Sequence, residues 1–194
     1  MYGLVNKGLE RYIEQECGNE HSKAIVGAAL GDVGTFVGMQ SYDDSIMIDM
    51  LTRYCEVAER RPEDALEGFG RFWISYVIDE GYGDLLSATG DTLEELLESL
   101  DTMHTRLGRS FPSMAPPSFT LERQEDGDFH LHYRSSRSGF APFVLGLIVG
   151  LCDMLNEQAV VTLAEARDQG ADHDVFLIQI VKGATLPRST AHGT

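Results

Sequence analysis

The sequence predicts an α+β fold, with a helical N-terminal region followed by a small antiparallel β-sheet into which one helix is inserted. Three observations carry this. Apolar residues recur at spacings of three and four from residue 2 to residue 107. After the proline-rich stretch FPSMAPPSF at 111–119 the period changes to two. Polar, glycine-bearing turns, QEDG at 124–127 and DQGAD at 168–172, separate the alternating segments, as expected of strands joined antiparallel.

Residues 2–17 place Leu4, Val5, Leu9, Tyr12 and Ile13 on one helical stripe, and 43–59 do the same with Ile46, Met47, Met50, Leu51, Tyr54 and Val57. Pro62, followed by Glu63 and Asp64, opens the next helix, because proline and acids suit a first turn. That helix runs through Leu66, Phe69, Trp73 and Val77 until Gly81 and Gly83 interrupt it. Asp91 with Glu94 reads as a capping pair for a helix over 92–107, ended by Gly108. Strands are expected at 118–124 and 128–135, a helix at 140–156, and strands at 159–167 and 173–181. Residues 1–181 read as one domain without internal repeats. The tail, 182–194, carries no apolar pattern and is expected to be mobile.

Bulk properties narrow the function. A formal net charge of −16 over 194 residues argues against nucleic acid or an anionic membrane surface as partner, since either needs a basic patch. The N-terminus lacks the basic start and apolar core of a secretory signal. The longest apolar run, FAPFVLGLIVGL at 140–151, is too short to span a bilayer. A cytoplasmic protein without membrane insertion is expected. Cys17, Cys55 and Cys152 are far apart and form no CxxC or CxxCH, so they read as buried free thiols.

Two local features invite chemistry. In HYRSSRSG at 132–139, strand alternation would turn Tyr133, Ser135 and Arg137 to the face of Phe129 and Leu131. That aims a phenol, a hydroxyl and a guanidinium inward, donors suited to an anion. On the 92–107 helix, His104 lies on the apolar stripe of Leu93, Leu96, Leu97, Leu100, Met103 and Leu107. A core histidine satisfied by a backbone carbonyl and an axial haem ligand both fit that position. Together the features suit haem, which needs an apolar wall, an axial nitrogen and donors for two propionates. A phosphate would also satisfy the donors, but no glycine-rich phosphate loop precedes a helix.

The chain resembles the H-NOX family, the haem-nitric oxide/oxygen-binding domains, from Met1 to about Val181. The likeness rests on MYGLVNK at the start, EGYGDLL at 80–86, LDTMHTRLGRSFP at 100–112, PPSF at 116–119, YRSSR at 133–137, GFAPFVLGL at 139–147 and DHDVFLI at 172–178. It implies a stand-alone bacterial type, related to the sensor domain of soluble guanylate cyclase, with non-covalent haem b held between helices and sheet. His104 falls on the proximal iron ligand, with Met103 and Leu107 beside it. Tyr133, Ser135 and Arg137 fall on the propionate-binding triad, and Pro117 on the proline that presses the haem out of plane. Met1, Leu4, Val5, Trp73, Phe143 and Leu147 are the expected distal wall.

Oxygen-binding members place a tyrosine hydroxyl over the gas. Phe143 stands at that position here, so the resemblance implies an NO and CO sensor in which NO weakens the iron–histidine bond and the helix of His104 moves. A histidine kinase or a diguanylate cyclase/phosphodiesterase is the implied partner. An oxygen sensor remains open through the Trp73 indole, as do a haem enzyme and a haem store. Against a peroxidase, none of His21, His130, His132, His173 or His192 falls in the expected distal wall. His130 and His132, at i and i+2, read either as a metal-ligating pair or as a solvated strand face.

Overall fold

The computed structural model describes residues 1–31, 34–111, 114–125 and 127–181, so the tail expected to be mobile lies outside the described residues. Helices α1 (Gly3–Cys17), α2 (Asn19–Leu30), α3 (Asp44–Ala58), α4 (Pro62–Val77), α5 (Gly83–Ser87) and α6 (Leu93–Ser110) precede strands β1 (Ser118–Arg123) and β2 (Phe129–Arg134). Helix α7 (Ala141–Leu155) and strands β3 (Ala159–Glu165) and β4 (Asp174–Ile180) follow. The expected α+β class, with its inserted helix, is what is observed. The sheet is antiparallel throughout, in the order β1-β2-β4-β3.

Helix starts follow the physics of exposed amides. Asp43 caps α3 by accepting from the Ser45 N–H at 2.8 Å, and Pro62 occupies the first turn of α4. The cap of α6 differs from the sequence expectation. Thr92, not Asp91, accepts from the Glu95 N–H, and Glu95 reaches back to the Thr92 N–H at 3.2 Å in a full capping box. Gly108 does not end α6, which continues to Ser110. A Cβ at Gly108 would stand 3.1 Å from Pro116 Cγ, so the glycine serves a close approach rather than a stop. Helix α2 was not anticipated, because NEHSKAIVGAAL is short and only weakly periodic. Between α4 and α5 a π-helical turn, Ile78–Tyr82, contains Gly81 at φ 92°, a left-handed conformation open to glycine.

Among the described residues two apolar clusters form. One joins α1, α2, α3 and α4 around Leu9, Ile13, Met50, Tyr54 and Phe69. The other joins the inner face of the sheet to α6 and α7 around Leu97, Leu131, Ile148, Phe176 and Ile178. They meet at Trp73 and Phe140, which pack against both. The clamp between them is the α4–α7 contact. A Cβ at Gly70 would lie 2.1 Å from the Phe143 carbonyl oxygen, one at Gly146 2.0 Å from that of Glu67, and one at Gly150 2.8 Å from that of Arg71. Only glycine lets the two backbones touch. Arg71 and Asp153 close the rim with two hydrogen bonds of 2.5 and 3.0 Å.

Candidate functional site

His104 sits on α6 with its Nδ1 2.8 Å from the Leu100 carbonyl oxygen, one helical turn back. The carbonyl can only accept, so Nδ1 carries the proton and Nε2 keeps its lone pair. Burial holds the imidazole below its ordinary pKa, and the Leu100 bond and the nearby Asp101 carboxylate only partly oppose this. A neutral imidazole with a fixed tautomer is the form that ligates iron, and a backbone acceptor behind it is the usual way to orient such a ligand. The Phe119 ring packs on it at 5.1 Å between centroids, and Tyr133 packs on Phe119 at 5.4 Å. Asp101, one turn before His104, accepts from the Phe119 N–H at 3.0 Å and fastens α6 to β1.

The donor triad is brought together, though not wholly by strand alternation. Phe129, Leu131 and Tyr133 point inward and are buried, as expected. The strand stops at Arg134, so Ser135 and Arg137 reach the site from a turn. The Ser135 hydroxyl accepts from the Arg137 N–H at 3.1 Å, a local bond that serine makes readily outside a strand. Burial pushes the Tyr133 phenol up, against a lowering hydrogen bond with Ser135.

Arg137 already has an anion. Its Nε donates to Asp44 Oδ2 at 2.6 Å, and its Nη1 to the Ala115 carbonyl at 3.0 Å. Asp44 also takes the N-terminal ammonium of Met1, which donates as well to the Tyr42 carbonyl at 2.6 Å. Burial works against ionisation of Asp44, but hydrogen bonds from Arg137 and the N-terminus outweigh it and hold the carboxyl below its usual range. A guanidinium has five N–H groups, so Arg137 can hold Asp44 and still present donors to a propionate.

The apolar candidates Met1, Leu4, Val5, Trp73, Phe143 and Leu147, and Met103, Leu107 and Pro117, are all half-buried rather than sealed in a core. Trp73 and Phe143 meet edge to face at 6.4 Å, with Phe69 5.1 Å from Phe143. Trp73 lies over Gly8 of α1, where a Cβ would stand 2.8 Å from the indole ring. A proton-free imidazole nitrogen, a phenol, a hydroxyl and a guanidinium brought close together, and half-buried apolar side chains fit a haem. Sequence reasoning missed Asp44, Asp101 and Asn6. Asn6, beside Val5, is fully buried with neither amide atom partnered.

The three cysteines are free, with Cys55 and Cys152 buried and Cys17 only half-buried. Burial raises the Cys152 thiol to about 11, which makes it inert. Among the described residues no helix is long and apolar enough to cross a membrane.

A family model described as haem-NO-binding matches residues 2–163. The chain is 27% identical over 200 residues to soluble guanylate cyclase gcy-35 of Caenorhabditis elegans, covering 97% of this chain and 29% of that protein. It is 35% identical over 104 residues to the human guanylate cyclase soluble subunit beta-2, covering 50% and 17%. It thus spans less than a third of the length of these cyclases. In fold it matches an H-NOX protein from S. oneidensis in the Fe(II)NO state, with a TM-score of 0.84, 18% identity, and coverage of 93% of this chain and 99% of that one. An unliganded Fe(II) H-NOX protein from K. algicida gives a TM-score of 0.80 at 22% identity, covering 96% and 100%. The chain therefore belongs to the haem-NO-binding (H-NOX) family, whose domains bind haem b.

Proposed function

We propose that residues 1–181 form a cytoplasmic sensor of NO, with CO as a second ligand, that holds haem b through His104 and the Tyr133, Ser135 and Arg137 triad. The observation that carries this reading is His104, which is neutral, tethered through Nδ1 to Leu100 and left with one free ring nitrogen. Bound haem supplies a ferrous iron on which a diatomic gas can bind. The chain does the rest. Trp73, Phe69 and Phe143 supply an aromatic distal wall. Iron-bound O₂ carries partial negative charge that needs a donor, whereas NO and CO tolerate an apolar wall. Phe143 offers ring carbons only.

The signal leaves through α6. His104 ties this helix to the haem, while Asp101 and a Glu94–Arg123 ion pair tie it to β1. A gas that loosens the hold on His104 shifts the balance between these tethers, and a partner reads the altered α6 surface as a population shift. A histidine kinase or a diguanylate cyclase/phosphodiesterase is the partner class we favour, and the similarity to guanylate cyclases adds a cyclase domain. Visible spectra of the reduced protein, alone and then with NO, CO and air, test the reading. It expects NO and CO complexes, no oxy complex, and pigment fully removed by acid-acetone. A stable oxy spectrum makes the chain an oxygen sensor. Peroxide turnover makes it an enzyme, and haem exchange with no effect of NO on a partner makes it a store.

A further inference from the structure

The outer face of the sheet, opposite the haem side, carries a row of four groups that gas sensing does not use. His132 Nε2 lies 3.3 Å from Glu122 Oε2, and His173 Nδ1 lies 3.0 Å from Asp172 Oδ2. Between them His132 Nδ1 and His173 Nε2 face each other at 2.8 Å, their ring centroids 5.1 Å apart. The pairing is cross-strand. His132 on β2 is registered with Val175, and Tyr133 with Asp174, so His173 is the diagonal neighbour of His132 on that face. His130, the partner weighed from sequence, stands opposite Glu122 in the register instead.

A carboxylate can only accept, so each outer ring nitrogen donates to its acid. In neutral imidazoles this leaves bare lone pairs on the two inner nitrogens. Two lone pairs held at 2.8 Å repel unless a Lewis acid lies between them. We propose that His132 Nδ1 and His173 Nε2 are the protein ligands of one borderline divalent transition ion, of which Zn(II) is the representative. Glu122 and Asp172 stand behind them to fix the tautomers. Histidine ligands with a carboxylate on the far ring nitrogen are the common pattern of metal sites. Two carboxylates also set a charge of −2 beside the pair, which a divalent ion neutralises and a single proton does not. Zn–N bonds of about 2.0–2.1 Å at a tetrahedral angle place the nitrogens about 3.3 Å apart, so the rings part by roughly half an ångström. Their side chains, 22% and 15% exposed, have room for that turn. Among the described residues no three His, Cys, Asp or Glu are arranged to hold a metal ion. Water therefore completes the coordination, and the ion is exchangeable.

Zinc alone, titrated into chelator-treated protein against a competing indicator, tests the site. One equivalent should bind more tightly to the wild type than to His132→Gln/His173→Gln, which reports the background from other histidines. Glu122→Gln and Asp172→Asn should each weaken binding about 10- to 100-fold, and His130→Gln should leave it unchanged. In the wild type, with no substitution to perturb folding, zinc should shift one Nδ1 and one Nε2 in histidine ¹⁵N spectra. Zinc uptake equal to that of the double variant, with no ¹⁵N shift at these rings, means a shared proton only and overturns the proposal. Loss of binding in His130→Gln overturns it too, in favour of a pair along β2.

Discussion

Arg137 and Asp44, 93 positions apart in the chain, form one ion pair, with Arg137 Nε donating to Asp44 Oδ2 at 2.6 Å. Asp44 holds the Met1 ammonium at the same time. One carboxylate at the start of α3 therefore joins the N-terminus to the turn that carries Ser135 and Arg137. Asp44→Asn should lower stability by on the order of 1 kcal/mol at neutral pH, a small figure because the carboxylate side chain is 40% exposed and screened by water. The sign of the pH dependence follows from the depressed pKa of Asp44. Its contribution is fully present above the unfolded value, about 3.9, and is lost as pH falls through the lower folded value. Urea unfolding of wild type and variant at pH 7 and near pH 3 should show the gap closing in acid. A gap that stays constant means that the pair does not titrate with folding.

Arg137→Ala removes the ion pair and, on the proposed function, a donor to haem. A hydrogen bond to a charged group contributes about 1.5–3 kcal/mol, so transfer of haem to an acceptor globin should run roughly ten to a hundred times faster. Asp44→Asn should not accelerate it comparably, because it leaves the guanidinium in place. If the two variants lose haem at the same rate, Arg137 acts through the fold rather than on the cofactor.

His104→Gly should hold haem poorly and regain it when free imidazole is supplied, since the substitution opens the space that one imidazole filled. Leu100 would lose the donor it now receives at 2.8 Å, and added imidazole can restore that bond too. A wild-type spectrum of the variant without imidazole would refute the proximal assignment.

Much of this could be read from the sequence because its signals are local. The helical stripe put His104 among leucines, and the period of two put Tyr133 inward, because both depend on residues within one or two turns of each other. What escaped the sequence depends on chain reversals. Asp44 reads as an acid suited to a helix start, and nothing in its neighbourhood points to Arg137. Ser135 and Arg137 leave the strand because β2 ends at Arg134, so their convergence is the work of a turn. His173 meets His132 only because β4 lies next to β2, with α7 and β3 intervening in sequence. Gly108 looked like a stop and is a contact with Pro116.

Gly146→Ala tests the α4–α7 clamp. The added methyl would stand 2.0 Å from the Glu67 carbonyl oxygen, a backbone atom that cannot swing aside, so the helices must part. Overpacking of this kind typically costs about 1–3 kcal/mol. Because Phe143 and Leu147 ride on α7 beside Gly146, gas affinity should change as well. Thermal unfolding checks the first effect, and CO titration of the reduced protein the second. Unchanged melting would mean that the helices have slack the packing does not suggest.

On the proposed function, the aromatic wall around Phe143 decides which gas is bound. Phe143 has no donor, and its ring is held by Phe69 at 5.1 Å, Phe140 at 6.3 Å and Trp73 at 6.4 Å. The reduced wild type should therefore bind NO and CO and form no lasting oxy complex in air. Phe143→Tyr adds one hydroxyl to that wall and should give measurable O₂ binding where the hydroxyl reaches the gas, since a hydrogen bond to a charged acceptor is worth about 1.5–3 kcal/mol, or roughly ten- to a hundredfold in affinity. Trp73 is the other possible donor, through its indole N–H. Trp73→Phe keeps an aromatic ring but removes that N–H, so it should leave NO and CO binding in place. A long-lived oxy spectrum in the wild type that disappears in Trp73→Phe would assign the donor to the indole and make oxygen the signal.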